Sequence, residues 1–255
     1  MARNPITKPR AKSKIPAVAR VQRLELVDEK GRVHAQLGVR PDGKPGLACL
    51  DPEGKPRVLL GTQEDGSVTL SLLDRRGRRC AALGTTGDGG AGLTLAERGG
   101  KGHAFLSVTP EGDVSLGLGD SEGMGRALLG IHRTGVVSLS LFDKAGRRRN
   151  GLAVRADGSP ALILEDATGK SRVHLTVSPE GEPGLGLGDR EGTGRVLLGV
   201  KADDSAGVAF YDKAGNLRAV LGLTAVPKSA QAGSAETSSA LALFDRDGNL
   251  LQQIP

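Results

Sequence analysis

Residues 139–161, LSLFDKAGRRRNGLAVRADGSPA, are one copy of a pattern that repeats every 23 residues through most of this 255-residue chain. Complete copies begin at Leu24 and at every 23rd residue after it as far as Val208, and a shortened tenth copy begins at Leu241. In all ten units the fifth place is acidic and the eighth is glycine, and the fourteenth place is leucine in all nine complete units. A fixed period of this length is typical of a tandem-repeat architecture, in which stacked units share a continuous core.

Each unit is predicted to contain two short strands and two tight turns. Apolar and variable residues alternate over 139–142, which indicates a strand. Asp143 and Gly146 then mark a turn, because the carboxylate can accept a backbone N–H two residues on and glycine tolerates a positive φ. A longer strand follows, and Asp157-Gly158 marks the second turn. The sequence therefore predicts an all-β fold without helices.

The alternation places the first, third, twelfth, fourteenth and sixteenth places of a unit on one inward face. Five apolar groups per unit do not offset the backbone entropy of ordering 23 residues, at roughly 1–2 kcal/mol each. The units must therefore stack on one another or on other chains. We expect a β-solenoid with one unit per coil or an intertwined β-fibre, with a closed pseudo-symmetric β-propeller or β-prism as the alternative.

A slower period of 69 residues, three units, underlies the first. The segment 116–120, LGLGD, recurs at 185–189, and the fourth place is bulky at Leu73, Phe142 and Tyr211 but glycine at 119 and 188. Triplication of a three-unit block and a pseudo-threefold arrangement of equivalent units both explain this period.

Charge and composition divide the chain into segments. Residues 1–20 contain six basic and no acidic residues, which equals the net charge of +6 of the whole chain. We predict a basic disordered arm over 1–20 and a β-repeat domain over 21–255. Within that domain, 224–240 is predicted as a loop insertion and 241–255 as a shortened capping unit.

The basic arm is predicted to dock on an acidic partner surface, such as nucleic acid, an anionic lipid surface or an acidic protein face. A purely solubilising extension is the alternative. The residues assigned to this docking are Arg3, Lys8, Arg10, Lys12, Lys14 and Arg20. The sequence shows neither a signal-peptide pattern nor a membrane span, so a cytoplasmic location is the default expectation. Export by a non-standard route and assembly into a virion stay open.

No catalytic, cofactor-binding or metal-binding residues are predicted. The glycine strings lack the following helix that a dinucleotide site requires, and one acidic residue per turn is too few for calcium. His34 and His103 are 69 residues apart, but His174 lies two places beyond the next equivalent position, which argues against a threefold metal site. We therefore expect a protein that is not an enzyme.

The function that fits these patterns is a structural or interaction protein: a rigid β-repeat spacer, fibre or scaffold. Self-association into a homo-oligomer, a trimer or a filament, would bury semi-apolar positions of the outer face. Those positions are Leu59, Leu128, Leu197, Phe142 and Tyr211. A lectin-like module with repeated shallow carbohydrate sites is the alternative, against which the scarcity of aromatic residues counts.

Overall fold

A computed structural model of the chain describes residues 20–225 and 237–254, and within these ranges every regular element is a β-strand. In chain order, β1 to β20 are Arg23–Val27, Val33–Val39, Pro45–Leu50, Pro56–Thr62, Val68–Leu73, Arg79–Thr85, Ala91–Ala96, His103–Val108, Val114–Gly119, Gly125–Ile131, Val137–Phe142, Arg148–Val154, Pro160–Glu165, Ser171–Val177, Pro183–Gly188, Gly194–Val200, Ala206–Tyr211, Leu217–Ala225, Thr237–Phe244 and Leu250–Ile254. The predicted all-β repeat, with two strands per unit, is confirmed.

Each strand pairs antiparallel with the next one along the chain, so the twenty strands form one open, uncurled sheet. In the described part of the chain, β1 pairs with β2 and β20 with β19, and no hydrogen-bonded ladder joins β1 to β20. Each unit contacts only its neighbours, as in solenoid repeats. The alternative of a closed propeller or prism is therefore wrong, because closure requires the two terminal strands to meet.

The register between strands is the same along the whole sheet. Leu129, at a fourteenth place, lies opposite Leu116 on one side and Leu139 on the other, both at first places. The twelfth place lies opposite the third place in the same way, as Ala127 does with Leu118 and Leu141. Because opposite residues share a face, the predicted inward positions all lie on one face of the sheet.

Both turns of a unit have the same geometry. In the first turn Gly146 N donates to Asp143 O at 3.0 Å and Asp143 N donates to Arg147 O at 2.9 Å. In the second turn Gly158 N donates to Arg155 O at 2.9 Å. The glycine that ends each turn has a positive φ, 73° at Gly146 and 85° at Gly158, as a three-residue hairpin loop with a bulge requires. Asp204 takes this position in unit eight with a φ of 63°, the single non-glycine residue with positive φ among the described residues.

The 69-residue period does not place its equivalents around a threefold axis. His34, His103 and His174 lie on β2, β8 and β14, six strands apart along one sheet. At about 4.8 Å per strand, neighbouring members of this set are about 29 Å apart. The pseudo-threefold explanation is therefore wrong for the single chain, because equivalent units follow one another along a line.

The predicted loop insertion 224–240 is partly strand. Thr224 and Ala225, at the end of β18, pair with Ser238 and Thr237 at the start of β19. Residues 226–236 lie outside the described residues, as does the predicted arm except Arg20, which is exposed.

The sheet is a single layer and has no interior. Among the described residues, the buried hydrophobic side chains are Ala48, Ala161 and Ala242, and no large side chain is fully buried. Since a sheet normally covers at least one face with another layer, both faces are candidate interaction surfaces.

Candidate functional site

One face of the sheet, which we call the leucine face, consists of three parallel rows of side chains. The central row combines the first and fourteenth places of all units, one flanking row combines the third and twelfth, and the other combines the sixteenth and twenty-second. The central row crosses all twenty strands and contains only aliphatic residues, in the order Leu24, Leu37, Leu47, Leu60, Leu70, Leu83, Leu93, Leu106, Leu116, Leu129, Leu139, Leu152, Leu162, Leu175, Leu185, Leu198, Val208, Leu221, Leu241 and Ile254.

Nothing in the described chain covers this row. Every leucine at a fourteenth place is exposed, from 39% at Leu60 to 54% at Leu83 and Leu221. Exposed valines and leucines continue the surface on both sides, and among the residues that the structure describes none of the three rows contains a charged residue. The leucine face is therefore a continuous, uncharged and uncovered apolar surface.

The size of the leucine face distinguishes it from an ordinary exposed patch. Twenty strands at about 4.8 Å give a length of about 90 Å, and three rows span about 16 Å, so the face covers roughly 1,500 Å². The largest apolar patch of a typical monomer covers about 300–600 Å². A surface this much larger is therefore the strongest candidate for an interaction surface.

The opposite face, which we call the arginine face, contains the second, fourth, eleventh, thirteenth, fifteenth and twenty-third places. All six arginines at eleventh places form an ion pair with the acidic residue at the fifth place of the same unit. The pairs are Arg57–Asp51, Arg126–Asp120, Arg149–Asp143, Arg172–Asp166, Arg195–Asp189 and Arg218–Asp212. The arginines are therefore neutralised within each unit, and this face is a salt-bridged surface.

Some of these arginines also tie one unit to the next. Arg126 Nε donates to Phe142 O, and Arg149 Nε donates to Glu165 O, each at 3.0 Å and each at the fourth place of the following unit. Arg172 Nε does the same to Gly188 O at 3.0 Å. This contact gives the eleventh place a structural role in aligning neighbouring hairpins.

The acidic residues at fifth places accept hydrogen bonds from the backbone of the turns that they close. Asp74 Oδ1 accepts from the backbone N–H groups of Arg76 and Arg78, at 2.8 and 3.0 Å, and Asp74 Oδ2 accepts from the Arg78 guanidinium. The Arg78 side chain and then its backbone N–H lower the pKa of Asp74 to about 2. The backbone N–H of Met124 and then the Arg126 guanidinium lower the pKa of Asp120. These carboxylates are structural turn residues.

The five outer-face residues predicted from the sequence are not brought together into one patch. Leu59, Leu128 and Leu197 are 39%, 37% and 48% exposed, but they lie on β4, β10 and β16, six strands apart. Phe142 and Tyr211 are half-buried on the same face. Leu128 and Phe142 lie on adjacent strands, and Leu197 and Tyr211 lie on adjacent strands beside one groove. They form small separate groups among polar and small residues, whereas the leucine face is continuous.

Two aromatic contacts that were not predicted from the sequence explain part of the 69-residue period. The Phe105 ring lies over Gly117, and the His103 ring lies over Gly119, where an added Cβ would meet His103 Cε1 at 2.6 Å. His174 takes the place of Phe105 three units later and lies beside Gly186. The sequence pattern that could have predicted the contact of Phe105 with Gly117 is a ring at a thirteenth place followed by glycine at the second place of the next unit.

A shallow groove of about 790 Å³ lies on the arginine face between β14 and β18, where small residues such as Gly184, Gly199 and Gly207 form its floor. The side chains with rings that line this groove are His174 and Tyr211. Within residues 20–225 and 237–254 no three His, Cys, Asp or Glu side chains cluster as metal ligands would. The same part of the chain has no helix long and apolar enough to cross a membrane.

The residues assigned to arm docking are mostly outside the structural description. Arg3, Lys8, Arg10, Lys12 and Lys14 precede residue 20, where the described part begins, and Arg20 is exposed at that boundary. The docking assignment therefore stays a prediction.

Comparison with known proteins adds little to this geometry. No family model matches the chain, and no curated protein matches its sequence. Among solved structures it is similar to a porin-like protein from Bacteroides uniformis ATCC 8492, with 10% sequence identity, a TM-score of 0.19, and coverage of 86% of this chain and 92% of that one. A TM-score this low does not establish a common fold, so no property of that protein is carried over to this chain.

Proposed function

We propose that this protein is a non-enzymatic structural protein, a rigid β-repeat scaffold that self-associates through its leucine face. The observation that carries the proposal is the unbroken aliphatic row from Leu24 to Ile254, which the single chain leaves exposed. Removing apolar surface from water contributes about 25 cal/mol per Å², so an uncovered row of this length is a strong driving force for association.

A second copy of this chain is the occupant that matches the leucine face best. The face has no charged side chain in any of its three rows, so two copies can meet without desolvating an unpaired charge. Covering it on two copies buries roughly 3,000 Å², within the range of about 2,000–5,000 Å² of obligate homodimers. Twenty strands in one layer also favour stacking, since long flat sheets are typically stabilised in that way.

The arginine face remains the outer surface of such an assembly. Its arginines are already paired within the chain, and its exposed leucines Leu59, Leu128 and Leu197 lie six strands apart. The assembly is therefore a rigid rod about 90 Å long with a polar exterior. The basic arm over residues 1–20 would tether it to an acidic surface.

The mass in solution tests this proposal. The chain has a mass of 26.2 kDa, so light scattering coupled to size-exclusion chromatography should give a dimer, a trimer or a larger multiple at micromolar concentration. A folded protein that stays at 26.2 kDa over the accessible concentration range would contradict the proposal, because the leucine face would then be stable in water.

A further inference from the structure

The two long sides of the sheet carry opposite net charge. Since the strands alternate in direction, every Asp-x-x-Gly turn lies along one side and every second turn of a unit lies along the other. We call the fourth to eleventh places of all units the basic rim and the seventeenth to twenty-first places, from Arg40–Lys44 to Lys201–Ser205, the acidic rim.

The charges of the two rims are equal and opposite. The basic rim contains 22 basic and 16 acidic residues, a net charge of +6. The acidic rim contains 5 basic and 11 acidic residues, a net charge of −6. The sheet is formally neutral as a whole, yet it is polarised across its width along its full length.

From this polarisation we infer that the copies associate in parallel, with their symmetry axis along the length of the sheet and all β1 strands at the same end. The inference rests on the self-association proposed above and concerns the orientation of the copies. Rotation about an axis along the length places the acidic rim of one copy beside the basic rim of the next, in a dimer or a trimer. Each strand of one copy then lies level with the same strand of the other copy, so the central rows overlap completely.

The reversed arrangement gives the same apolar overlap with the opposite electrostatics. Rotation about an axis along the strands places each rim beside the same rim of the second copy. Six net charges on one rim then lie against six net charges of the same sign. The two orientations therefore bury the same leucine face and differ in whether their charges attract or repel. Charge patterns of this kind set the orientation of partners more than the strength of binding.

The parallel arrangement has a consequence for the basic arms. Residue 20 precedes β1, so every copy would begin its sheet, and extend its arm, from one end of the rod. Each arm carries a net charge of +6, and the arms of one assembly would engage an acidic surface together.

The orientation is measured by pulsed electron paramagnetic resonance between spin labels at position 30. The variant Lys30→Cys, with Cys49→Ala and Cys80→Ser, places the label on the exposed turn between β1 and β2. Parallel copies put the two labels within about 40 Å of each other, and reversed copies put them about 86 Å apart, which is 18 strand spacings. Solution mass is measured on the same sample.

A matched pair of charge variants tests the cause of the orientation. The triple change Glu64→Lys, Glu111→Lys and Glu180→Lys brings the acidic rim from −6 to 0, and the triple change Arg75→Glu, Arg98→Glu and Lys144→Glu brings the basic rim from +6 to 0. Combined in one variant, they leave neither orientation favoured by charge and should add the long distance to the short one. The control changes Glu to Lys on the basic rim alone, at Glu29, Glu53 and Glu122, which leaves the two rims opposite in charge and should keep the short distance alone.

The outcomes separate the two proposals. A monomeric mass would contradict self-association itself. An oligomeric mass with the labels about 86 Å apart would overturn the parallel orientation and leave self-association standing. An oligomer with a short distance that the variant with both rims at zero net charge does not change would show that the rim charges do not set the orientation.

Discussion

Leu59 and Leu60 are consecutive residues of β4, are equally exposed at 39%, and lie on opposite faces of the sheet. Leu60 lies between Leu47 and Leu70 in the unbroken central row. Leu59 lies between Ala48 and Ser71, where no apolar row continues. Two leucines with equal exposure therefore lie in different surroundings on the two faces. Their neighbours on the adjacent strands show that Leu60 belongs to a continuous apolar row and that Leu59 does not.

The turn carboxylates predict a loss of stability in acid. The pKa of Asp74 is about 2 in the folded chain, below the value of about 3.9 expected when unfolded. A carboxyl group with a lowered folded pKa stabilises the fold above its unfolded pKa, and that contribution is lost as the pH falls through the folded pKa. Thermal unfolding should therefore change little between pH 7 and 5, and the Tm should fall between about pH 4 and 2.

The variant Asp74→Asn isolates one of these turns. It should lower the Tm at pH 6, because the Asn amide is a weaker acceptor for the Arg78 contacts, and the difference from the unchanged protein should shrink toward pH 2. The control Glu29→Gln removes an exposed carboxylate in an equivalent turn and should have little effect at either pH. A Tm difference for Asp74→Asn that is constant from pH 6 to 2 would be inconsistent with this account.

The glycine beneath Phe105 predicts a specific packing defect. An added Cβ at Gly117 would overlap the Phe105 ring, so Gly117→Ala should lower the free energy of unfolding by about 1–3 kcal/mol. Gly125→Ala is the matched control, since an added Cβ there meets nothing within 4 Å, and it should be close to neutral.

Chemical denaturation of the double variant Phe105→Ala/Gly117→Ala checks the cause. Removing the ring should abolish most of the additional cost of the Ala at position 117, as expected for residues in contact. Additive effects of the two substitutions would show that the ring and the glycine are independent.

Glycine should have opposite effects on thermal stability when it replaces either of two neighbouring aspartates in one turn. Asp204 has a φ of 63°, which an L-residue adopts at a cost of about 1–2 kcal/mol. Asp203→Gly removes the carboxylate that accepts the Ser205 backbone N–H at 3.0 Å, and it should destabilise. Asp204→Gly should raise the Tm. If thermal melts shifted in the same direction for both variants, backbone strain at Asp204 would not be the cause.

The predicted arm is tested by removing four positive charges either from the arm or from the basic rim and comparing the two variants. Replacing Lys8, Arg10, Lys12 and Lys14 with Gln should sharply reduce retention on a heparin column and its dependence on salt. The control replaces four exposed lysines of the basic rim, Lys30, Lys55, Lys144 and Lys213, and should keep most of the retention. Equal losses for the two variants would show that binding follows total charge and not the arm.

The local structure could be predicted from the sequence because its signals are local. The strand at Leu139–Phe142 and the turn at Asp143–Gly146 depend on residues within one unit, and the structure confirms both. The assignment of residues to the two faces of the sheet could also be predicted, because side chains alternate between the two sides of a strand.

The arrangement of the units could not be predicted in the same way. Whether Leu129 lies in a coil, a closed ring or an open sheet depends on how each hairpin meets the next, and the same alternation fits all three. The contact of Phe105 with Gly117 joins positions twelve residues apart across two strands, so it appears only once the register is known. The inward face was expected to be covered by neighbouring units or by other chains, and the single-layered sheet leaves it uncovered by the chain itself.

The most direct test of the account compares two triple variants that differ by one position in three strands. Leu60→Asp, Leu129→Asp and Leu198→Asp place charges in the central row, and Leu59→Asp, Leu128→Asp and Leu197→Asp place them on the arginine face. Within each set the residues are 69 apart, and the exposure of the two sets is similar, 39–50% and 37–48%. Circular dichroism checks that both sets retain strand structure, and Gln replaces Asp in any set that does not.

Sedimentation equilibrium of the two triple variants gives the decisive mass. The leucine-face variant should sediment as a 26.2 kDa monomer, and the arginine-face variant should keep the oligomeric mass of the unchanged protein. The reverse result, or an oligomeric mass that both variants keep, would contradict the claim that the leucine face joins the copies.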